Sequence, residues 1–185
     1  MSDRRLALLI ALALVLFALG LGVVLARHSR DSRIASPVVA SAVAVVTPGR
    51  CQSVNGLPDS VCSPGATDPR VTQGNIRTTI CTRGYTAKVR PSTTYTDALK
   101  RSQIRQYGYT DTNPAHYEED HLIPLELGGH PSDPKNLWPE PLDGPEGAFV
   151  KDGVENSLNT KVCAGLIRLA DAQKAIAENW QLALR

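Results

Sequence analysis

The stretch YEEDHLIPLELGGHPSDPKNLWPEP, residues 117–141, holds three adjacent carboxylates followed directly by a histidine. A segment built only for packing does not need this arrangement, because like charges repel each other and carboxylates are costly to bury. The same stretch then contains a proline, a Gly-Gly pair and an asparagine before Trp138. This combination indicates a place where a cation is held and a negatively charged group is brought to it.

Alternation within the stretch predicts a β-hairpin with a long connecting turn. The letters EDHLIPL alternate and end at a proline, and NLWP forms the return. Residues 145–147 then open a predicted helix across residues 148–165. Apolar residues recur every four positions and form its predicted buried stripe: Val150, Val154, Leu158 and Val162. The polar residues off this stripe are Lys151, Asp152, Glu155 and Asn156.

The segments before the hairpin predict loops and short strands. Residues 51–75 carry repeated turn-forming sequences, which are typical of a loop-rich region. Residues 75–91 are rich in β-branched side chains and predict one or two short strands that end at Pro91.

Two further helices are predicted on either side of the hairpin region. Thr96 is expected to cap a helix over residues 97–108, with Gly108 as its stop. A last helix is expected from about residue 169 to residue 184, and its buried face would consist of Ala172, Ile176 and Trp180. The predicted class is therefore α+β, with a hairpin-plus-helix core, additional helices and a loop-rich N-terminal part held by cysteines.

The first fifty residues of the 185-residue chain differ from the rest. Residues 6–26 are uncharged and apolar, and at about 1.5 Å per residue such a helix spans a hydrocarbon core of about 30 Å. A cleaved signal peptide has an apolar core of only about 7–15 residues, so a membrane anchor is favoured over a cleaved signal. Residues 1–5 are then a short tail, residues 27–50 a flexible tether and residues 51–185 one domain.

Both readings of residues 6–26, anchor and signal, place the domain outside the cytosol, in the bacterial envelope or the extracellular space. The cysteines agree with this location. They are even in number, none forms a C-x-x-C pair, and such cysteines are typical of disulfides in an oxidising compartment: Cys51, Cys62, Cys81 and Cys163. Three pairings are compatible with the sequence, and four reduced thiols are the alternative.

Charge is divided unevenly along the chain. Residues 77–105 contain seven Lys or Arg against one Asp, whereas residues 106–160 contain two Lys against eleven Asp or Glu. A basic arm beside an acidic segment suits a polyanion-binding surface next to a cation site. Two solvated faces of opposite sign are the alternative that charge alone leaves open.

Taken in order, these motifs resemble the HNH endonucleases of the ββα-metal superfamily. The match consists of EDHLIPLELGG, NLWPEP and the helix opening GAFVKDGVENSL. The chain is particularly similar to small exported bacterial HNH-type proteins, and this likeness extends over nearly all of residues 51–185. The further shared motifs are Thr79-Ile80-Cys81, Gly84-Tyr85, Val89-Arg90-Pro91, Val162-Cys163-Ala164-Gly165 and Ala172-Gln173 through Trp180.

The resemblance implies a ββα-metal core and roles for three residues. His121 would be the general base, since an imidazole with a pKa of about 6.5 can deprotonate water near neutral pH. Asp120 would bind one divalent metal ion, and Asn136 would bond backbone groups across the long turn and steady the histidine. Mg²⁺ or Mn²⁺ is the expected ion, and the ligand types do not exclude Zn²⁺ or Ni²⁺.

The sequence departs from the family pattern at the third metal ligand. Many HNH helices present a histidine three residues before a lysine, but Ala148 stands three before Lys151. The candidate replacements are Asn156, which ranks first, then Asp152 and Glu155. The alternative is a solvated helix face with internal ion pairs. The C-x-x-C pairs that hold a structural zinc in many HNH domains are also missing.

Several other side chains are candidates for nucleic-acid contacts or for the site periphery. The residues predicted to neutralise phosphates are Arg90, Lys100, Arg101, Arg105 and Lys151. Glu118 and Glu119 are expected at a solvated strand edge rather than as tuners of the metal site. His116 and His130 flank His121 at spacings that fit no common zinc motif.

The sequence therefore predicts a metal-dependent endonuclease that cleaves DNA with low sequence specificity, and it leaves RNA open as a second substrate. The alternative is a non-catalytic, disulfide-stabilised module that binds nucleic acid or metal on the same scaffold. A structural protein of the envelope is a third interpretation. No G-x-S-x-G, P-loop or H-E-x-x-H motif is present, which removes the common competing enzyme classes.

Overall fold

A computed structural model of the protein describes residues 51–185. The predicted tail (residues 1–5), apolar run (6–26) and tether (27–50) lie outside the described residues. Within residues 51–185, no helix is both long enough and apolar enough to cross a lipid bilayer. The membrane partner and the location outside the cytosol therefore stay predictions from the sequence.

A two-stranded antiparallel hairpin lies at the centre of the site region. Strand β1 comprises Tyr117–His121 and strand β2 comprises Leu137–Pro141, with Asp120 opposite Trp138. The prolines of β2 are tolerated because each strand of a two-stranded sheet has a free edge. The predicted α+β class is confirmed by this hairpin and the helices around it in sequence.

The described residues contain four α-helices. They are α1 (Tyr85–Val89), α2 (Thr93–Gln106), α3 (Ala148–Cys163) and α4 (Leu169–Asn179). Short 3-10 helices occupy Gln73–Thr78, Pro114–His116, Leu125–Leu127, Pro134–Asn136 and Trp180–Leu182. Helix α3 packs against α4 and against the 3-10 helix that follows β1.

Residues 75–91 are largely helical, so the predicted strands are wrong. The segment contains the end of the first 3-10 helix and the whole of α1. Ile76 and Ile80 are buried while Thr78 between them is exposed. A strand would turn all three side chains to one face. The β-branched composition favoured strands, but the described residues provide no partner strand for this segment.

Helix α2 begins earlier than predicted, with Ser92 rather than Thr96 as its cap. The Ser92 hydroxyl accepts the backbone N–H of Tyr95. The Thr96 hydroxyl instead donates to the carbonyl of Thr93 inside the helix. Gly108 follows the helix end in the left-handed conformation, with φ of 65°, as expected of a stop signal.

The last helix has the predicted buried face but is shorter than predicted. Ala172, Ile176 and Trp180 are all buried. Helix α4 ends at Asn179, whose extended backbone and side chain start a new 3-10 turn by accepting the N–H of Gln181. An asparagine favours such a local cap over continuing the helix.

The buried face of α3 differs from the predicted stripe. Leu158 and Val162 are buried as expected, but Val150 is 47% exposed. The buried residues are Ala148, Lys151, Glu155, Leu158 and Val162. Lys151 in the first half of α3 forms ion pairs with the hairpin, whereas Leu158 and Val162 join the apolar core and the partly buried Val154 packs against it.

Two apolar clusters anchor the residues that directly follow strand β1. The larger contains Val71, Ile76, Ile80, Ile123, Leu127, Leu158, Val162, Leu169, Ala172, Ile176 and Trp180. The smaller contains Cys51, Tyr107, Leu122 and Trp138. The neighbours Leu122 and Ile123, which directly follow His121, therefore pack into different clusters, so the chain is anchored on both sides at this point.

Two disulfides are present, which confirms that prediction and decides the pairing. Cys51 pairs with Cys62 and closes a short loop, whereas Cys81 pairs with Cys163 across a separation of 82 residues. The second bond joins the segment before α1 to the end of α3. No cysteine is free, so the alternative of four reduced thiols is wrong.

Candidate functional site

His121 is the last residue of β1, and its ring is held by the turn that joins the strands. Its Nε2 lies 2.9 Å from the carbonyl oxygen of Pro131. A carbonyl only accepts hydrogen bonds, so Nε2 carries the hydrogen and Nδ1 is the basic nitrogen of the neutral ring. The residue is 4% exposed and lines a cleft. The fold thus presents a single tautomer of this imidazole.

The surroundings of His121 favour the neutral ring. Burial lowers the pKa of His121 below its usual value, and the charges of Arg90 and Lys151 lower it further. The Pro131 carbonyl and the Asp120 carboxylate act in the opposite direction without reversing the shift. At neutral pH the ring is therefore uncharged and able to accept a proton.

Asn136 fixes the chain just after His121. Its side-chain amide donates to the carbonyls of Ile123 (2.9 Å) and His130 (3.1 Å). Its side-chain oxygen accepts the N–H groups of Ile123 (3.0 Å) and Ala66 (3.2 Å). The Asn136 backbone carbonyl also accepts the N–H of Leu122 at 2.8 Å. This buried amide bridges the two ends of the long turn.

Asp120 lies on a cluster of charges between the hairpin and α3. Its Oδ2 is hydrogen-bonded by the ammonium of Lys151, which also donates to Glu155. The same ammonium donates to the carbonyl of His121 at 2.9 Å and lies 3.8 Å from Glu140. Lys151 and Glu140 are fully buried. We call Asp120, Glu140, Glu155 and Lys151 the junction cluster.

The protonation states within the junction cluster follow from burial and mutual charge. Burial lowers the pKa of Lys151, but the carboxylates around it raise the pKa more, so the ammonium stays charged. Burial and the charge of Asp120 raise the pKa of Glu140 to about 11, and Glu140 therefore keeps its proton. Burial raises the pKa of Asp120, but Lys151 outweighs it, and this carboxylate stays ionised.

Only two of the four predicted metal ligands come together, and they do so around Lys151. Asp120 and Glu155 both contact Lys151. Asn156 is exposed, and its amide donates to the carbonyl of Asp152 within the helix. Asp152 is exposed as well, although its pKa is raised by partial burial and by the nearby Asp120.

A divalent ion does not fit among these side chains as they are arranged. Among residues 51–185, no group of three His, Cys, Asp or Glu side chains has the geometry of a metal site. The space between Asp120 and Glu155 is filled by the ammonium of Lys151. The helix residue that faces the hairpin thus supplies a cation instead of a ligand for one.

A cleft of about 300 Å³ opens beside His121. Its polar lining includes Arg90, Lys100, Glu118 and Glu119. A larger open pocket of about 620 Å³ lies near residues 52–64 and contains neither His121 nor any residue of the junction cluster. The larger pocket is lined by the carboxylates Asp59 and Glu178 but by no histidine, whereas the smaller cleft contains His121, so the smaller cleft is the better candidate site.

The predicted phosphate-binding residues separate into three groups. Arg90 is exposed and lines the His121 cleft, as does Lys100, whose ammonium donates to the carbonyl of Tyr117 at 3.0 Å. Arg101 and Arg105 line a different pocket. Lys151 is fully buried, so its prediction as a surface phosphate contact is wrong, because three acidic side chains surround it inside the fold.

The sequence suggested that Glu118 and Glu119 are solvated residues at a strand edge. The structure shows that they are not. Glu119 is 8% exposed, and neither of its carboxylate oxygens has a hydrogen-bond partner among the described residues. Burial raises the pKa of Glu119 to about 8. Burial and the charges of Asp120 and Asp152 also raise the pKa of Glu118. Both side chains line the His121 cleft.

The flanking histidines have local contacts. His116 is exposed and its Nδ1 lies 2.6 Å from Asp111. The Nδ1 of His130 accepts the backbone N–H groups of Ser132 and Asp133, at 3.3 and 2.9 Å. His130 therefore acts as a turn cap, and neither contact brings these rings to His121.

The sequence reasoning missed Glu140 and Pro131, and it placed Lys151 on the surface. Two features of the sequence pointed to the pairing of Lys151 and to Glu140. Lys151 and Glu155 are four residues apart on one helix, a spacing that allows an ion pair. Glu140 lies in an apolar strand opposite Glu118, and a carboxylate there requires a partner.

Comparisons with known proteins return no relative. No protein-family model matches the chain, and neither the curated proteins nor the solved structures contain a significant match. The structure defines an α+β domain with one hairpin, several helices and two disulfides. The resemblance to HNH endonucleases rests on the motifs alone and stays a prediction.

Proposed function

We propose that residues 51–185 form an endonuclease that hydrolyses phosphodiester bonds of DNA with little sequence preference; RNA is the second candidate substrate. The observation that carries this proposal is the state of His121. Its Nε2–H is held by the Pro131 carbonyl, so the basic Nδ1 remains, in a cleft that Arg90 also lines. A neutral base next to a guanidinium suits attack on a phosphodiester.

In the proposed reaction, His121 Nδ1 takes a proton from water as the water oxygen attacks phosphorus. The bond from phosphorus to the leaving oxygen breaks, and the leaving alkoxide receives a proton from the imidazolium or from solvent. The guanidinium of Arg90 neutralises charge on the phosphoryl oxygens. The products are a phosphomonoester and an alcohol, and the imidazole returns to its neutral form.

Metal dependence remains a prediction from the sequence, and the reaction described above involves no metal ion. Two of the four ligands expected from the sequence, Asp120 and Glu155, are engaged by Lys151, and the reaction described above uses no ion between them. Mg²⁺ is commonly held by one or two carboxylates together with substrate phosphates. Asp120, whose side chain is 14% exposed, is the residue that would serve an ion arriving with the substrate.

The test is cleavage of plasmid, single-stranded DNA and RNA by the full chain with both disulfides formed. Each substrate is assayed with Mg²⁺, Mn²⁺, Zn²⁺ or EDTA. His121→Ala is expected to lose at least about 100-fold in rate, the usual contribution of a general base. His116→Ala is the matched control and should keep the full rate, because His116 is exposed and bonds only local groups.

A folded wild-type chain that cleaves no substrate under any of these conditions would refute the proposal. The second candidate, a binding module without turnover, is supported by the burial of His121 and by the cation already present in the junction cluster. Nucleic-acid binding that persists without cleavage in the wild type would select this candidate.

A further inference from the structure

Lys151 has an unusual environment for a lysine in the first turn of a helix. It is fully buried, and each of its three N–H donors has an oxygen partner. Two partners are the carboxylates of Asp120 and Glu155, and the third is the main-chain carbonyl of His121. The carboxyl group of Glu140 lies 3.8 Å away as a fourth oxygen neighbour.

Carboxylate and carbonyl oxygens arranged around one point are the ligands that Mg²⁺ and Ca²⁺ prefer. In the junction cluster this point is taken by an ammonium that the chain itself supplies. Two ions cannot share it, because charges at such separation repel strongly in a buried environment. The Lys151 ammonium thus occupies the space between Asp120 and Glu155, two of the residues that the sequence predicted as metal ligands.

We propose that the Lys151 ammonium is the resident cation between the hairpin and α3, that it excludes a divalent ion from this position, and that it positions His121. The positioning part rests on the proposed nuclease function, and the cation part does not.

The hydrogen bonds around His121 explain how Lys151 positions the ring. Lys151 holds the carbonyl of His121, while Asn136 holds the N–H of Leu122 and both backbone groups of Ile123. Three successive residues are therefore held, and Lys151 holds the backbone carbonyl of His121, whose ring is held by Pro131. Displacement of a catalytic group by about 1 Å can reduce a rate about 100-fold.

A gain in folding stability is not a sufficient reason for burying the charges of the junction cluster. A buried ion pair is often no more stabilising than well-packed apolar residues of similar volume, because both charges lose their hydration. The cluster nevertheless buries one lysine and places three carboxyl groups around it next to the candidate base. A role in holding His121 gives a reason for retaining the charges.

The cation part is tested by thermal unfolding of the full chain in EDTA and in millimolar Mg²⁺, Mn²⁺ or Ca²⁺. The wild type should show the same Tm in all of them. Lys151→Ala frees the oxygens of Asp120, Glu140 and Glu155, and a divalent ion should then raise its Tm by about 5 °C. Lys174→Ala is the matched control, since Lys174 forms an exposed pair with Glu178 on α4.

A wild type that gains as much Tm from divalent ions as Lys151→Ala would overturn the cation part. If Lys151→Ala does not fold, calorimetric titration of the wild type with Mn²⁺ tests the cation part instead. Mn²⁺ binding by the wild type that is lost in Glu155→Gln would place a metal in the junction cluster and refute the proposal. Both measurements are independent of cleavage, so they stand even where no nuclease activity is found.

The positioning part is tested by kinetics of Lys151→Met, which keeps the side-chain length without the charge. We expect kcat to fall about 100-fold with KM changed by less than about threefold, because the base is displaced while the substrate surface is intact. Lys174→Met should match the wild type. A Lys151→Met variant with unchanged kcat, or with a change in KM alone, would refute the positioning role.

Discussion

Glu119 is a buried side chain near His121 whose carboxyl group lacks hydrogen-bond partners among the described residues. It shares the cleft with the candidate base, yet both of its oxygens are buried without a partner among the described residues. Such a group is tolerated when it is protonated, because only the ionised form carries the large cost of burial. The raised pKa, about 8, agrees with this state.

We predict that the wild type loses stability as the pH rises from 5 to 8. The Glu119→Gln variant should not show this loss. The folded state keeps the proton up to about pH 8, whereas the unfolded chain releases it near pH 4.5. The stabilising contribution is therefore complete below pH 4.5 and is lost as the pH rises towards 8. At pH 8 the variant should be more stable by roughly 4 kcal/mol.

Urea unfolding at pH 5, 6.5 and 8 measures this difference. Glu178→Gln is the control, because the Glu178 side chain is 68% exposed and its neutralisation should leave the pH profile unchanged. Parallel pH profiles for Glu119→Gln and the wild type would show that Glu119 is ionised in the folded protein.

The long turn between β1 and β2 depends on the absence of a side chain at Gly129. A Cβ atom built there would lie 1.7 Å from the carbonyl oxygen of Ile123 and 2.8 Å from the side-chain nitrogen of Asn136. The turn brings its two ends together through this asparagine, and Gly129 occupies the space beside it. The Gly-Gly pair in the opening sequence therefore has a packing reason.

We predict that Gly129→Ala destabilises the domain by at least about 2 kcal/mol, because the clash is with backbone that cannot move away. Gly153→Ala is the matched control: Gly153 lies in α3 with no atom near its Cβ position. This second substitution should stabilise by about 0.5–1 kcal/mol, since alanine favours the helix. Denaturant unfolding compares both, and equal effects would contradict the assigned role of Gly129.

Local patterns predicted the elements well where packing agreed with them. Alternation around Asp120 and the return NLWP predicted the hairpin, and α3 begins where its opening residues indicated. Residues 75–91 were predicted incorrectly because β-branched composition is a weak preference that packing overrides. The predicted stripe of α3 failed at Val150, because Lys151 and Glu155 are the buried residues in this part of the helix and Lys151 pairs with Asp120 of the hairpin.

The two disulfides connect parts of the domain that are far apart in the chain. Cys81–Cys163 closes a much longer loop than Cys51–Cys62, with separations of 82 and 11 residues. It also ties the segment before α1, which leads to Arg90, to the end of α3. Such bonds form in oxidising compartments, which agrees with the predicted location without establishing it.

We predict that replacing both Cys81 and Cys163 by serine costs about 4 kcal/mol, and that replacing both Cys51 and Cys62 costs about 3 kcal/mol. The difference follows from the loop lengths, because a longer closed loop restricts the unfolded chain more. Urea unfolding of the oxidised variants measures both values, and reduction of the wild type should destabilise it more than either pair of substitutions. A larger cost for the short loop would contradict this account.

The amino-acid sequence was sufficient for features that depend on neighbouring residues: the hairpin ending in His121, the start of α3, the buried face of α4 and the presence of disulfides. The fold decided the cysteine pairing, the burial of Glu119 and the position of Lys151. These features depend on contacts between residues distant in the chain. A local pattern shows that a lysine is charged, but only the folded chain shows that Asp120, Glu140 and Glu155 surround it.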